Sequence, residues 1–183
     1  METYRLFIAV EVGDEAKAEL VGAQHRLQRF NSLVKWVAPT MMHLTLHFLG
    51  ETQAALIPQL CAALDTALVG QVKPRLRLDG AGAFPNLRRP SVVWAGVAGE
   101  ITTLGKMQAA IGALLEDLRL PHETRPFRPH LTLARARRDA QPAQLAQLGT
   151  AIQELSPLAP APWLVDRVIL FRSRLLPRGP EYS

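Results

Sequence analysis

Two histidines head identical tetrapeptides, His43-Leu44-Thr45-Leu46 and His130-Leu131-Thr132-Leu133, nearly half the chain apart. An imidazole titrates near neutrality, and a hydroxyl can donate to a phosphoryl oxygen. Two such units bracketing one phosphorus would supply an acid and a base for in-line displacement, each proton transfer contributing typically about 10²- to 10⁴-fold. A strained cyclic phosphate is a fitting substrate. No metal and no cofactor is needed for that chemistry, and self-similarity of this kind points to a duplicated lobe.

Strand geometry gives the motif its physical content. Residues i and i+2 share one face, so His43 and Thr45 project together while Leu44 and Leu46 anchor the opposite face, and His130 and Thr132 stand in the same relation to Leu131 and Leu133. His47 shares the parity of His43 and is expected at the cleft or its solvated rim. Arg128 shares the parity of His130, whereas Arg135 has the opposite parity unless a bulge intervenes. Phe48 has two readings, a platform for a nucleobase or a core residue. His43 and His47 are four apart, but on a strand that spacing spans roughly 13 Å, too far for both rings to reach one metal ion at about 2 Å. The serines lack the strand-turn-helix context of an activated nucleophile, and His25 and His122 read as bystanders.

The elements that must position these groups alternate. Tyr4 to Val12 reads as a strand, Asp14 to Phe30 as a helix, and Val34 to Val37 and His43 to Leu49 as strands, with Gly50 closing the unit. Thr52 is a candidate cap for a helix from Gln53 to Leu68. Strands follow at Arg75 to Leu78 and Val92 to Val97 around a loop holding Pro85, Asn86 and Pro90, and Gly80-Ala81-Gly82 permits a bulge or tight bend. A helix from Glu100 to Leu118, the motif strand His130 to Arg137, a helix from Gln141 to Leu155, a connector from Pro157 to Pro162 and a last strand from Trp163 to Arg174 complete the chain. Strand and helix alternating in two comparable halves argue an α+β fold of two lobes meeting at a central cleft.

A length of 183 residues suffices for one domain that buries a core unaided. Cys61, the only cysteine, is expected to be a buried core thiol in a reducing compartment. No apolar run approaches membrane-spanning length and Glu2 stands where a signal peptide wants basic charge, so a cytoplasmic protein without a membrane partner is expected. The formal charge is +5, and the excess is nearly all arginine, which favours forked contacts to phosphate. Arg88, Arg89, Arg125, Arg128, Arg135, Arg137, Arg138, Arg172, Arg174 and Arg178 lie near candidate loops or motif strands.

These residues resemble the 2H phosphoesterase superfamily, in particular its RNA 2′,3′-cyclic phosphodiesterases, also called 2′-5′ RNA ligases. The resemblance is carried by Arg5-Leu6-Phe7-Ile8-Ala9, by Trp36-Val37 leading to His43-Leu44-Thr45-Leu46-His47-Phe48-Leu49-Gly50-Glu51, and by Gly82-Ala83-Phe84-Pro85 with Trp94-Ala95-Gly96. Arg125 to Arg135 and Gly179-Pro180-Glu181-Tyr182 extend it over nearly the whole chain. It implies a single domain over residues 1–183 made of two intertwined, pseudo-symmetric α/β lobes, their antiparallel sheets facing across a groove. It implies hydrolysis of RNA 2′,3′-cyclic phosphate ends to 2′-phosphomonoesters without a metal or cofactor, and in some members reversible, ATP-independent 2′-5′ joining. By the same correspondence His43 would be the proton donor and His130 the proton acceptor, with Thr45, Thr132, Arg128 and Arg135 on the phosphate and Phe48 on a base. RNA or nucleoside cyclic phosphates would be the partners, with no obligate protein partner evident. Two other readings stay open: a nucleotide- or RNA-binding module with low turnover, and a phosphodiesterase for a small cyclic nucleotide or 2′-5′ oligoadenylate.

Overall fold

The computed structural model describes residues 2–176 and 179–183, with backbone alone over 175–176 and 179–180. Arg178 therefore lies outside the described residues. The elements follow in the order β1 (Thr3–Glu11), α1 (Asp14–Arg26), β2 (Val34–Trp36), β3 (His43–Gln53), α2 (Ile57–Leu68), β4 (Arg75–Phe84), β5 (Val92–Gly99), α3 (Ile101–Asp117), β6 (His130–Ala136), α4 (Pro142–Glu154), β7 (Trp163–Leu164), β8 (Val168–Leu176) and β9 (Gly179–Tyr182). They build two antiparallel sheets, one ordered β3-β1-β8-β9 and the other β2-β6-β5-β4-β7. The expected α+β architecture of paired sheets is what forms.

The lobes exchange elements. β2 comes from the first half of the chain but pairs with β6 on the second sheet, while β8 and β9 return from the far end to complete the first. Helices cross over as well: α1 reaches β6 through Gln24, and α3 lies behind β3, where the Gln108 carbonyl meets His47. Five consecutive residues of β1, Leu6 to Val10, are buried because both faces of that strand are covered. Leu6, Ile8 and Val10 join the common apolar core with Leu44, Leu46, Leu131 and Leu133.

Several boundaries differ from the pattern-based expectation. β3 does not stop at Gly50 but runs on to Gln53, since Gly50 takes φ 66° within a strand still paired to β1. Thr52 is thus a buried strand residue, its hydroxyl turned to the Gly50 carbonyl, and it caps no helix. The stretch from Trp163 to Arg174 is two strands in different sheets, split by the chain crossing between lobes. Cys61 is exposed and not a core thiol, because Leu60 and Leu64 supply the buried face of α2. The Gly80-Ala81-Gly82 bulge does form: the β4–β5 register shifts between Leu78 and Ala81.

One buried polar side chain ties the lobes together. Gln24 Nε2 donates to the Val37 carbonyl at 2.8 Å and to the Leu133 carbonyl at 2.9 Å, and the Val37 amide donates to that same Leu133 carbonyl. Gln24→Leu keeps the volume but strips the Val37 carbonyl of its side-chain donor, so a loss of about 1–3 kcal/mol is expected. Urea denaturation checks it: an unchanged midpoint with an unchanged slope would mean that the two hydrogen bonds contribute nothing net.

Candidate active site

The two motifs are built to the same plan down to their hydrogen bonds. His43 Nδ1 lies 2.8 Å from the Met41 carbonyl, and His130 Nδ1 lies 2.7 Å from the Arg128 carbonyl, in each case the residue two before the histidine. A carbonyl only accepts, so each Nδ1 carries the hydrogen, which leaves Nε2 of both rings as the reactive nitrogen. Arg128 thus contributes through its backbone, and its side chain is exposed. Thr45 and Thr132 are half-buried on the same faces as their histidines.

Each motif strand also carries a bulge at the same place. On β1, Ala9 faces Thr45 and Ile8 faces His47, leaving Leu46 as the extra residue; on β5, Trp94 faces Thr132 and Val93 faces Ala134, leaving Leu133 extra. An extra residue reverses the parity of everything beyond it. His47 is therefore turned away from His43 and into the core, 1 % exposed, which overturns its expected place on the cleft. Phe48 takes its place on the His43 face and is 54 % exposed, so it is not a core residue. By the same reversal Arg135, out of phase by simple alternation, stands on the His130 face and is exposed. Phe48 and Arg135 occupy equivalent positions, five residues after their histidines. The Leu133 carbonyl released by the second bulge is the one that Gln24 and Val37 hold.

Aromatic rings wall His43 on several sides, and one ring lies against His130. His43 contacts Phe7 at 4.7 Å and Phe171 at 5.7 Å between ring centroids, and meets Tyr182 edge-on at 5.2 Å. His130 stands perpendicular to Phe84 at 5.0 Å, and Phe84 in turn touches Trp94. Trp94 lies across β4 because position 82 is glycine; a Cβ there would sit 2.3 Å from the indole. Motif spacing does not single out the ring walls from β1, β8 and β9. Tyr182 belongs to the C-terminal signature, but only strand order brings that residue against His43.

The two lobes meet here. β3 and β6 approach within 8 Å between Cα atoms, and the positive charge of Arg135, from the second sheet, acts on the Tyr182 phenol of the first. Burial nonetheless holds that phenol above its ordinary range. Burial among the rings pushes His43 down to about 4, against the opposing effect of the Met41 carbonyl, so the free protein presents a neutral His43 with an open Nε2. His47, behind the strand, is likewise lowered by burial. Among the described residues no group of three or more His, Cys, Asp or Glu side chains could hold a metal ion, and no helix is long and apolar enough to cross a membrane.

Comparison with known proteins gives a consistent picture. Residues 16–175 match the model of the 2′-5′ RNA ligase superfamily. An RNA 2′,3′-cyclic phosphodiesterase of Thermus thermophilus is 34 % identical over 98 % of this chain and 86 % of its own length. One from Methanothermobacter thermautotrophicus is 30 % identical over 98 % and 95 %. Among solved structures, a Thermus thermophilus protein superposes with TM-score 0.78 at 34 % identity, covering 98 % of this chain and 93 % of that one. Escherichia coli LigT complexed with 3′-AMP superposes with TM-score 0.76 at 25 % identity, covering 100 % and 95 %.

Proposed function

As this chain belongs to the 2′-5′ RNA ligase superfamily, we propose that it hydrolyses RNA 2′,3′-cyclic phosphate ends to 2′-phosphomonoesters by a two-histidine mechanism, with reversible 2′-5′ joining as the same displacement when an RNA 5′-hydroxyl takes the place of water and the P–O3′ bond breaks. The observation that carries this reading is the matched pair of imidazoles, each fixed through Nδ1 by the carbonyl two residues before it and each freeing Nε2. His130 accepts a proton from the attacking water. His43 donates one to the departing 3′ oxygen. A neutral His43 in the free protein suits this role only if the proton arrives with the substrate, and an anionic cyclic phosphate beside Nε2 favours the charged imidazole. Thr45 and Thr132 donate to the non-bridging oxygens, where the charge builds up. Arg135 and Arg128 add charge-assisted contacts to phosphate, and Phe48 offers an exposed ring to the terminal base.

Residues 1–183 act as one domain in this reading, since strands and helices are exchanged between lobes and each lobe brings only half of the site. In this reading the protein acts in the cytoplasm, and among the described residues no helix is long and apolar enough to cross a membrane. Product analysis on a defined RNA with a 2′,3′-cyclic end tests the proposal. A new 2′-phosphate is the expected product. A 3′-phosphate would overturn the assigned direction of bond cleavage, and stoichiometric binding without turnover would favour a binding module instead. Turnover confined to a small cyclic nucleotide or a 2′-5′ oligoadenylate would move the substrate class.

A further inference from the structure

Beyond Arg135 the second sheet ends in a cluster of cations that the reaction at the phosphate does not use. Arg88 and Arg89 lie in the turn between β4 and β5, and Arg137 and Arg138 in the turn after β6; all four are exposed. The two turns are held side by side. The Ala136 amide donates to the Ser91 carbonyl and the Arg137 amide to the Leu33 carbonyl, while Asn86 Oδ1 accepts from the amides of both Arg88 and Arg89. From below, α4 supports the first turn so closely that a Cβ on Gly149 would lie 1.7 Å from the Leu87 carbonyl oxygen.

Three arginines of this chain are neutralised by carboxylates: Arg26 pairs with Glu19, Arg125 with Glu123, and Arg167 with Glu11. The four in the two turns make no ion pair among the described residues, even with Asp139 beside them in sequence. Like charges crowded on fixed turns oppose folding, which makes an unneutralised cluster informative about a polyanionic partner. β6 connects it to the reacting centre. His130, Thr132 and Arg135 follow one another along that strand and Arg137 comes directly after its end, so the cluster begins roughly 20 Å from the catalytic imidazole at about 3.4 Å per residue.

Resting on the cyclic-phosphodiesterase reading, we propose that these four arginines bind the backbone phosphates of nucleotides upstream of the cyclic end, so that the preferred substrate is an RNA strand and not a mononucleotide. β6 sets the direction, with the terminal phosphate at His130 and the chain leaving past Arg135 toward the two turns. Contacts to the phosphate backbone carry no sequence information and are salt-dependent.

The test uses full-length protein with R88E/R89E, R137E/R138E and the four combined, plus a set with Gln in place of each Arg in case charge reversal impairs folding. KM for an oligonucleotide 2′,3′-cyclic phosphate is expected to rise at least tenfold in the combined variant, with kcat and all constants for a nucleoside 2′,3′-cyclic phosphate unchanged. Binding of a 2′-phosphorylated oligonucleotide, titrated between 50 and 200 mM salt, gives a readout that needs no turnover. For single strands the slope is about −0.7 per phosphate neutralised, so the combined variant should lose about 3 from it. An unchanged salt slope and KM would overturn the track while leaving hydrolysis of the cyclic end intact. An equal loss on oligonucleotide and mononucleotide would overturn it too, by placing the effect at the reacting centre.

Discussion

His43→Ala and His130→Ala are each expected to lower kcat for a 2′,3′-cyclic phosphate by about 10²- to 10⁴-fold, because each removes one positioned proton transfer. The two losses will not add. Once one histidine is gone the concerted transfer is broken, so the double variant should be little worse than the poorer single. The fold should persist, since both rings face the groove and the leucines of both motifs stay in the core. A substrate whose 3′ oxygen is replaced by sulfur separates the roles. A thiolate departs without protonation, so His43→Ala should regain most of its activity on that substrate while His130→Ala stays inactive. The opposite rescue would exchange the two assignments, and substantial activity of either single variant on the normal substrate would sink the two-histidine mechanism.

Acid should loosen this protein before the carboxylates protonate, and His43 is the main reason. In an unfolded chain its imidazole takes a proton near 6.5; in the folded protein, burial among Phe7, Phe171 and Tyr182 delays that until about 4. The group therefore contributes stability that is complete above pH 6.5 and lost as pH falls from 6.5 toward 4. The displacement corresponds to roughly 3 kcal/mol, a large share of the total for a domain of this size. His47, lowered by burial as well, acts in the same direction. Urea midpoints from about pH 7.5 to about pH 4.5 check this: wild type should fall steeply, and His43→Gln should show a clearly flatter dependence. A pH-independent midpoint in wild type would mean that the ring charges without penalty, and the aromatic wall would then not be closed around it.

The features that can be read from the chain are those carried by local period and repetition. Alternation in His43-Leu44-Thr45-Leu46 and its copy already sorts reactive from anchoring residues, because side chains on a strand must alternate whatever the strand pairs with. The helices are legible too: Ile101–Asp117 closely matches its expected span, while the first begins at Asp14 as expected but stops at Arg26, a 3-10 turn taking over from Gln28 to Phe30. What cannot be read is whatever depends on a pairing partner. Nothing in Leu46 or Leu133 marks it as the extra residue of a bulge, since a bulge is a mismatch in count between two strands. That mismatch buries His47, exposes Phe48 and swings Arg135 toward the site. Cys61 departs from its expected place for a related reason: an Ala- and Leu-rich helix offers several faces, and only the packing of Leu60 and Leu64 selects one.

The sequence by itself determined the chemistry: two imidazoles with paired hydroxyls on twin strands, in an α+β chain rich in arginine. The tertiary structure alone decided how those groups are used. It fixed both Nδ1 atoms on backbone carbonyls, closed aromatic rings from β1, β8 and β9 around His43, and reversed parity after each motif. The reason is physical. Side-chain direction along one strand is local geometry, whereas tautomer, burial and charge environment belong to contacts between segments that the chain brings together only when its two halves exchange strands.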